Sequence, residues 1–274
     1  MDKITLEKIL YPISVGEFFK KYWKKKHLIL RRNKFKDIYG WNDLEAYLNR
    51  YPYVRGLQII DYDDKDTRWC LDKVMSGKLK LPKLSKKQVF DLWRKGKTFV
   101  IPFAEQETKK LHDIVYEFEN YFHHGQVNIY ASPVQGSKSF PPHKDGTENF
   151  LFHTHGKVKW TFYKDVKTKK TKSGEPIIDK EVIEEVILEA GDLVYIPIGM
   201  WHKVDALGPR VLCSIHFKNK PDQSLKKFKI QRDNNRPPWY KWSPLTTVTK
   251  PKRKVRLMNK SNWSKPYFDK NKLK

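Results

Sequence analysis

The sequence predicts a mainly β protein with flanking helices, an α+β chain whose core is a double-stranded β-helix of the jelly-roll type. Short strand-like segments follow one another from Gly125 onward, separated by turns rich in Gly, Pro and Lys. Helical patterns are confined to the residues before this point. Consecutive short antiparallel strands typically close into two facing sheets. We therefore divide the chain into a helix-rich part over residues 1–124 that packs on the core, a β core over 125–220 and a basic, aromatic tail over 221–274.

Helices are predicted where capping residues precede an apolar pattern of helical spacing. Ser14 and Glu17 have the spacing of a capping box, and Ser85 and Gln88 repeat it. The most regular apolar pattern covers residues 105–122. The predicted helices span residues 14–26, residues 42–48, a segment that begins at residue 85, and residues 105–122.

Strands are predicted where β-branched and aromatic residues form short runs between turn residues. The lysine-rich segment 167–172, followed by Ser173-Gly174, is interpreted as a solvated hairpin tip. The predicted strands span residues 27–30, 97–101, 126–131, 150–153, 157–164, 182–188, 193–196 and 210–217.

Composition indicates a soluble intracellular protein. Of the 274 residues, 32% are charged, and no apolar run approaches the roughly 20 residues that a membrane-spanning helix needs. The N-terminal segment MDKITLEKIL lacks the apolar stretch and the cleavage site of a signal peptide. Cys70 and Cys213 are the only cysteines, so no disulfide framework is expected. We therefore expect a cytoplasmic protein without a membrane partner.

The net charge of +25 is concentrated near the C-terminus. Residues 218–274 contain 18 basic and three acidic side chains, so this segment alone carries +15. Aromatic residues are interleaved with the basic ones, a composition that suits phosphate contacts and base stacking. A nucleic acid or a ribonucleoprotein is therefore one candidate partner. The same composition is also consistent with lysine enrichment from an AT-rich genome, or with a tail that packs its Trp side chains on the domain.

A candidate metal site follows from three polar residues in the β core. His143 and Asp145 are two residues apart, so on a strand they point to the same side. His202 follows 57 residues after Asp145, in a Gly-Asp…Pro-x-Gly-x-x-His turn that can present it from a distant strand. Two His and one carboxylate form the facial triad of non-haem Fe(II) oxygenases, which leaves three positions open for a co-substrate and dioxygen.

The same residue types also occur in proteins that bind no metal. A lone His-x-Asp is a weak signal, and these three residues could be satisfied polar groups of a β protein. His153 and His155 form a second pair with the same spacing, which we interpret as core or pocket residues rather than as alternative ligands. The adjacent pair His123-His124 is interpreted as incidental.

Two segments resemble the JmjC-type cupin oxygenases: PPHKDGTENFLFHTHGKVKWTFY and LEAGDLVYIPIGMWHKV. The segment ISVGEFFKKYWKKKHLILRR is similar to the opening of the ribosomal-oxygenase and asparaginyl-hydroxylase branches. The resemblance covers roughly residues 5–35 and 125–220. It implies Fe(II), 2-oxoglutarate as co-substrate, dioxygen, and hydroxylation of a protein side chain or, less often, of tRNA. It also implies that His143, Asp145 and His202 are the metal ligands.

The resemblance implies a set of co-substrate residues as well. Asn149 occupies the position that contacts the co-substrate in the asparaginyl-hydroxylase branch. Asn128 and Tyr130 match positions that line the pocket, and His216 lies near another pocket position. Three aromatic residues are further candidates for the pocket wall, although core packing explains them equally well: Trp160, Tyr195 and Trp201.

One departure from the family concerns the cation that binds the distal carboxylate of 2-oxoglutarate. The family places Lys or Arg two residues after the Gly of Gly-x-Lys-x-Trp, where this chain has Val158. The flanking Lys157 and Lys159 are expected to point to the opposite face of the strand. Arg210 is the preferred anchor, since a guanidinium binds a carboxylate through two hydrogen bonds. Lys159 is the fallback if a bulge shifts the strand, and Arg210 could instead be a surface residue.

Three functions remain open from the sequence. The first is an Fe(II)- and 2-oxoglutarate-dependent hydroxylase of a protein side chain, with ribosomal proteins among the candidate substrates. The second is an oxygenase that acts on tRNA or another nucleic acid, and the third is a non-enzymatic cupin-like binding module.

Overall fold

The structure is a computed structural model that describes most of the first 217 residues. The described ranges are 4–49, 57–61, 66–69, 71–76, 79–122, 125–137, 139–164, 169–170, 176–177 and 181–217. The predicted basic tail, the pair His123-His124 and most of the predicted hairpin tip lie outside these ranges.

Five α-helices and sixteen strands lie within the described ranges. The helices are α1 (Leu6–Leu10), α2 (Val15–Lys21), α3 (Trp41–Asn49), α4 (Lys86–Arg94) and α5 (Lys109–Phe118). The first strands are β1 (Leu28–Leu30), β2 (Gln58–Asp61), β3 (Asp66–Trp69), β4 (Leu71–Ser76), β5 (Leu79–Leu84), β6 (Thr98–Pro102), β7 (Gly125–Ser132) and β8 (His143–Lys144). The remaining strands are β9 (Glu148–His155), β10 (Lys157–Tyr163), β11 (Lys169–Lys170), β12 (Pro176–Ile177), β13 (Val182–Glu189), β14 (Leu193–Ile196), β15 (Trp201–Ala206) and β16 (Arg210–Phe217).

Two antiparallel sheets face each other and form the core of the fold. The large sheet has the order β1-β14-β9-β16-β7-β6-β2-β3, and the small sheet has the order β13-β10-β15-β8. From β7 to β10, and again from β13 to β16, each successive strand lies in the other sheet, which is the winding of a double-stranded β-helix. The predicted fold class, a mainly β protein with flanking helices, is therefore confirmed. Strand β6 pairs with β7, so the predicted boundary at residue 124 lies within one continuous sheet.

Helices α2 and α4 begin directly after the predicted capping residues Ser14 and Ser85, although the Ser85 side chain forms no capping hydrogen bond. The helices predicted over residues 14–26 and 105–122 are shorter in the structure. The Ser14 hydroxyl accepts a hydrogen bond from the Glu17 amide at 3.1 Å. Helix α2 ends at Lys21 rather than at residue 26, because the chain turns through Lys24, whose φ is 60°. The predicted helix 105–122 is divided, since Thr108 caps α5 by accepting from the Leu111 amide. Helix α1 has no counterpart among the predicted helices.

Two apolar clusters lie on the two faces of the large sheet. The larger cluster packs the N-terminal helices and α5 against the outer face of the sheet. The smaller one lies between the two sheets, and its buried members are Leu151, Val158, Trp160, Phe162, Leu188, Val194, Ile196, Val204 and Leu212. On β9 the two clusters alternate residue by residue, as expected for a strand that is covered on both faces. The space between the sheets is therefore where an enclosed site can form.

Gly156, in the turn between β9 and β10, lies against the residue that precedes β16. Its φ is +77°, and a Cβ atom added there would lie 1.9 Å from the Pro209 carbonyl oxygen. The close contact brings the β9–β10 turn against the start of β16, which begins at Arg210. A side chain at residue 156 would therefore displace the beginning of that strand.

We expect Gly156→Ala to lower the free energy of unfolding by about 2–5 kcal/mol, the sum of left-handed strain and overpacking. Gly136→Ala is the matched control. Gly136 has a similar φ of +73° but nothing within 4 Å of an added Cβ. Its substitution should cost only the backbone strain of about 1–2 kcal/mol. Urea denaturation of both variants measures the difference, and equal losses would contradict the argument.

Candidate metal centre

Three side chains from the small sheet and the following loop converge on one point. His143 on β8 and His202 on β15 are directly opposite each other in the strand register. Asp145 follows β8, and its Oδ1 lies 3.5 Å from the His143 Nε2. Its Oδ2 lies 3.6 Å from the His202 Nε2. The three ligand atoms lie within 4.8 Å of one another, a spacing that one metal ion can bridge.

Both imidazole rings are oriented by backbone carbonyl groups. Nδ1 of His143 is 2.8 Å from the Pro141 carbonyl oxygen, and Nδ1 of His202 is 3.0 Å from the Met200 carbonyl oxygen. A carbonyl oxygen only accepts, so each Nδ1 carries the proton and each Nε2 keeps a free lone pair. Oriented donors of this kind are usual for metal-binding histidines. The lone pairs therefore face the point where the three side chains meet.

Burial also favours the metal-binding form of His202. Its side chain is 3% exposed. Burial, with His143 close by, lowers the pKa of His202 to about 4, although Asp145 acts in the opposite direction. His202 is therefore neutral near pH 7. A neutral imidazole is the form that binds a metal ion.

The triad opens on a cavity of about 300 Å³ between the two sheets. The lining combines polar and apolar side chains. The lining residues are Tyr130, Ser139, Phe140, His143, Asp145, Leu151, Trp160, His202, Val204, Arg210, Leu212 and Ser214. The cavity is large enough for a small organic molecule beside a metal ion.

Arg210 lies in the wall of this cavity and is 1% exposed. Its Nε donates to the Ser132 hydroxyl at 3.0 Å, and one terminal nitrogen donates to the Ser139 hydroxyl at 3.4 Å. Among the described residues, no carboxylate forms an ion pair with Arg210. Burial lowers its pKa to about 10, so the guanidinium stays charged at neutral pH. A buried cation with only hydroxyl partners favours an anionic ligand.

Tyr130 lies on the same face of β7 as Asn128 and lines the cavity. Burial raises the pKa of Tyr130 to about 12, although a hydrogen bond with the Asn128 side chain and the nearby charge of Arg210 act in the opposite direction. The phenol is therefore neutral and can donate a hydrogen bond at neutral pH. Asn128 keeps a buried Oδ1 without a hydrogen-bond partner among the described residues.

Lys159, the fallback anchor, lies on the opposite face of its strand. Strand β10 pairs without a shift from Lys157 to Phe162, so no bulge turns Lys159 inward. Its ammonium group pairs with Glu185 at 3.2 Å on the solvent side of the small sheet. Val158 faces the interior instead and is 1% exposed. Of the two predicted anchors, Arg210 lines the cavity and Lys159 does not.

Three other predicted co-substrate residues do not line the cavity: Asn128, Asn149 and His216. Asn149 is buried and donates to Asp145 through Nδ2, while its Oδ1 accepts from the Thr147 hydroxyl at 3.0 Å. His216 pairs with Asn149 in the register of β16 and β9. Their implied contacts with a co-substrate remain predictions.

The aromatic candidates for the cavity wall are separated by the fold. Trp160 lines the cavity, and its ring centroid lies 5.6 Å from that of His202. Trp201 does not line it and packs beneath the Lys144 ammonium group instead. Tyr195 lies among the aromatic residues of the helix-covered face, where its hydroxyl donates to Glu148. Of the three, only Trp160 walls the cavity.

His153 is a core residue rather than a ligand. Its Nε2 accepts a hydrogen bond from the Trp160 indole N–H at 3.0 Å, so the atom a metal would need is already engaged. Within the described residues, the only group of three candidate metal ligands is the triad itself. The interpretation of His153 and His155 as core or pocket residues agrees with these contacts.

The buried His153 makes folding stability depend on pH. Burial, aided by Arg210 and Arg31, lowers its pKa from 6.5 to about 3. As the pH falls, the imidazole of His153 is therefore protonated at a higher pH in the unfolded chain than in the folded protein. The contribution of His153 to the free energy of unfolding is complete above pH 6.5 and is lost progressively as the pH falls towards 3, by roughly 1 kcal/mol per pH unit.

We expect His153→Gln, whose amide oxygen can still accept from Trp160, to lose less free energy of unfolding per pH unit in urea denaturation between about pH 6 and pH 4. Equal slopes in both proteins would contradict this expectation.

Sequence reasoning missed Ser132, Ser139 and Phe140. Ser132 continues the alternation of Asn128 and Tyr130 on β7, so the period of the strand could have indicated it. Ser139 and Phe140 lie in the loop before β8, where no sequence period applies. Their position in the cavity lining depends on the path that this loop takes past the two sheets.

The same part of the chain matches a known family. The JmjC domain family matches residues 98–225, which include β6 and every strand of the double-stranded β-helix. The matched segment contains all three triad residues and Arg210. In the structure, the N-terminal helices pack against the outer face of its large sheet.

The similarity to curated relatives covers more of the chain than residues 98–225. Ribosomal oxygenase 2 of Rattus norvegicus is 28% identical over 217 residues, which are 73% of this chain and 43% of that protein. The bifunctional lysine-specific demethylase and histidyl-hydroxylase NO66 of Dictyostelium discoideum is 26% identical over 225 residues, 78% of this chain and 42% of that protein. The chain thus spans less than half the length of these relatives.

Solved structures of other proteins share this fold. YcfD, a ribosomal oxygenase from Escherichia coli in complex with cobalt and 2-oxoglutarate, aligns with a TM-score of 0.53 and 18% identity. The alignment covers 77% of this chain and 53% of that one. At this level of identity the likeness concerns the fold. Among the residues that the present structure describes, no helix is long and apolar enough to cross a membrane.

Proposed function

We propose that this chain is an Fe(II)- and 2-oxoglutarate-dependent oxygenase that hydroxylates a side chain of a protein. The observation that carries the proposal is the pairing, in one cavity, of a His-Asp-His triad with a buried arginine whose described hydrogen-bond partners are hydroxyl groups. Two imidazoles and one carboxylate suit Fe(II). The arginine suits the distal carboxylate of a dicarboxylic co-substrate.

His143, Asp145 and His202 would hold the metal ion. When bound, Fe(II) supplies the chemistry by which dioxygen converts 2-oxoglutarate to succinate and CO₂ and hydroxylates a C–H bond. The carbonyl groups of Pro141 and Met200 keep the imidazole lone pairs aimed at the ion. The protein therefore contributes orientation, and the metal contributes the redox chemistry.

Arg210 would bind the distal carboxylate of 2-oxoglutarate. The Ser132 and Ser139 hydroxyls fix the guanidinium in the cavity wall. Tyr130 is neutral at physiological pH and offers a further donor. Trp160 and the apolar side chains of the lining exclude water from the reacting groups.

A protein side chain is the substrate class that the relatives support. One relative is named a ribosomal oxygenase, and another is named a histidyl-hydroxylase. Ribosomal proteins are therefore the first substrates to test. The alternative of a nucleic-acid substrate depends on the basic tail, which lies outside the described residues.

The proposal is tested with the full chain, Fe(II), 2-oxoglutarate and a set of ribosomal proteins from the source organism. We expect succinate to form, and one protein to gain the mass of a single oxygen atom at one side chain. Succinate formation without a modified protein would leave the oxygenase chemistry intact and refute the substrate class. No succinate and no 2-oxoglutarate binding would favour a cupin-like binding module instead.

A further inference from the structure

Asp145 offers two oxygen atoms to the metal centre, and both face imidazole nitrogens. Oδ1 lies 3.5 Å from the His143 Nε2, and Oδ2 lies 3.6 Å from the His202 Nε2. Carboxylates bind metal ions through one oxygen or through both. The number of Asp145 oxygens that bind the metal matters here, because a triad in which each residue supplies one donor atom leaves three coordination positions open. A second oxygen from Asp145 would take one of these positions.

Asn149 makes the contact that distinguishes the two oxygens. Its Nδ2 donates to Oδ2 of Asp145, and the Asn149 side chain is buried at the start of β9, with 3% exposed. The Thr147 hydroxyl donates to Oδ1 of Asn149 at 3.0 Å. Because a carboxylate oxygen only accepts, the NH₂ end of Asn149 faces Asp145, which leaves the carbonyl end to accept from the Thr147 hydroxyl. The three side chains therefore form a chain of hydrogen bonds that ends on one carboxylate oxygen.

We propose that Asn149 is a positioning residue that keeps Asp145 a single-oxygen ligand, so that three coordination positions stay open for 2-oxoglutarate and dioxygen. An N–H bonded to Oδ2 competes with the metal for that oxygen and leaves Oδ1 as the donor. The inference rests on the proposed function. It differs from a direct co-substrate contact of Asn149, since this residue does not line the cavity.

The test compares metal binding with co-substrate binding in the full chain. Co(II), which oxidises slowly, replaces Fe(II), and 2-oxoglutarate is then titrated into the metal-loaded protein. Asn149→Leu removes the donor at similar volume. Thr147→Val removes only the hydroxyl that bonds the carbonyl end of the Asn149 amide and holds it in place, and Thr147→Ser retains that hydroxyl as the matched control.

We expect both Asn149→Leu and Thr147→Val to bind Co(II) within a few-fold of the wild-type affinity but to bind 2-oxoglutarate about 10- to 100-fold more weakly. Thr147→Ser should bind both as the wild type does. A purely structural role of Asn149 would weaken the triad itself, so Co(II) and 2-oxoglutarate would be lost together. The ratio of the two effects therefore separates positioning from folding.

Unchanged 2-oxoglutarate affinity in the two variants, or parallel loss of Co(II) and 2-oxoglutarate in both, would overturn the inference. Should Asn149→Leu fail to fold, as judged by its thermal unfolding, Thr147→Val decides alone, because Thr147 is only half-buried. Failure of the wild-type chain to bind Co(II) at all is a different outcome. It would refute the proposed function and this inference with it.

Discussion

Asp145→Ala and His143→Ala are each expected to abolish the conversion of 2-oxoglutarate to succinate. The triad has three donor atoms within 4.8 Å of one another, and the loss of one leaves too few ligands to hold Fe(II) at the cavity. Ligand loss costs more than the 10- to 100-fold that is typical for an outer partner of a metal ligand. We therefore expect turnover to fall by more than about 100-fold. Succinate formation and metal content of the purified variants measure the effect.

His155→Ala is the matched control for these substitutions. His155 belongs to the second His pair, is half-buried, and lies near Trp41, with ring centroids 5.9 Å apart. Its replacement should leave metal content and turnover close to wild type. Turnover that survives both triad substitutions, or that is lost only with His155, would refute the site.

Arg210→Leu is expected to weaken 2-oxoglutarate binding by about 2–5 kcal/mol, or roughly 30-fold to several thousand-fold in Kd. The guanidinium is buried, and its only described partners are two hydroxyl groups. Removing it leaves the distal carboxylate of the co-substrate in the cavity without a charge partner. Calorimetric titration of the metal-loaded protein measures the loss. Lys159→Ala is the control, since Lys159 pairs with Glu185 on the outer face and its loss should leave the affinity unchanged.

Although Arg210→Leu should weaken 2-oxoglutarate binding, it should not lower the thermal stability of the ligand-free protein. A buried cation that lacks a carboxylate partner, as Arg210 does among the described residues, carries a desolvation cost, and its replacement by an apolar residue is often neutral or stabilising. We expect Arg210→Leu to melt at or above the wild-type temperature without ligand, and to lose the stabilisation that 2-oxoglutarate confers on the wild type. A variant that is equally destabilised with and without ligand would show that Arg210 is structural.

The position of Val158 allows the same charge to be moved to the family's usual place. Val158 faces the interior of β10, with Leu188 and Ala206 as its neighbours on the flanking strands. Val158→Lys in the Arg210→Leu background should recover part of the lost affinity, because a cation again reaches the cavity. A double variant that binds no better than Arg210→Leu would show that the two positions do not serve the same carboxylate.

Patterns that depend on neighbours in the sequence are predicted well. The capping residues Ser14 and Thr108 are bonded to the amides three residues ahead, although the sequence indicates only the first. The alternation of β10 predicts that Val158 faces inward and Lys159 outward. Such features depend on helix and strand periods, which the local sequence carries.

Features that depend on distant contacts are not predicted. Helix α2 ends early where the Lys24 amide meets the Tyr195 hydroxyl at 2.8 Å, and no local pattern indicates that meeting. Strand β8 has only two residues, too few to show a strand pattern. Strand β15 begins directly after the turn that contains Gly199, and the sequence pattern does not show where the turn ends and the strand begins. Asn149 is assigned to the co-substrate by resemblance, whereas its nearest partners are Asp145 and Thr147.

The sequence by itself predicted the double-stranded β-helix and the pair His143 and Asp145, because strand alternation and the His-x-Asp spacing are local properties of the chain. His202 was predicted from its own Gly-Asp…Pro-x-Gly-x-x-His turn, but the sequence could not show that the three side chains meet. Only the tertiary structure decided which cation faces the triad. In the sequence, Arg210 could be a surface residue after a Gly-Pro turn. In the fold, the Ser132 and Ser139 hydroxyls meet it from β7 and the following loop. Burial is a property of all the elements that surround a side chain, so no single segment of the sequence could predict it.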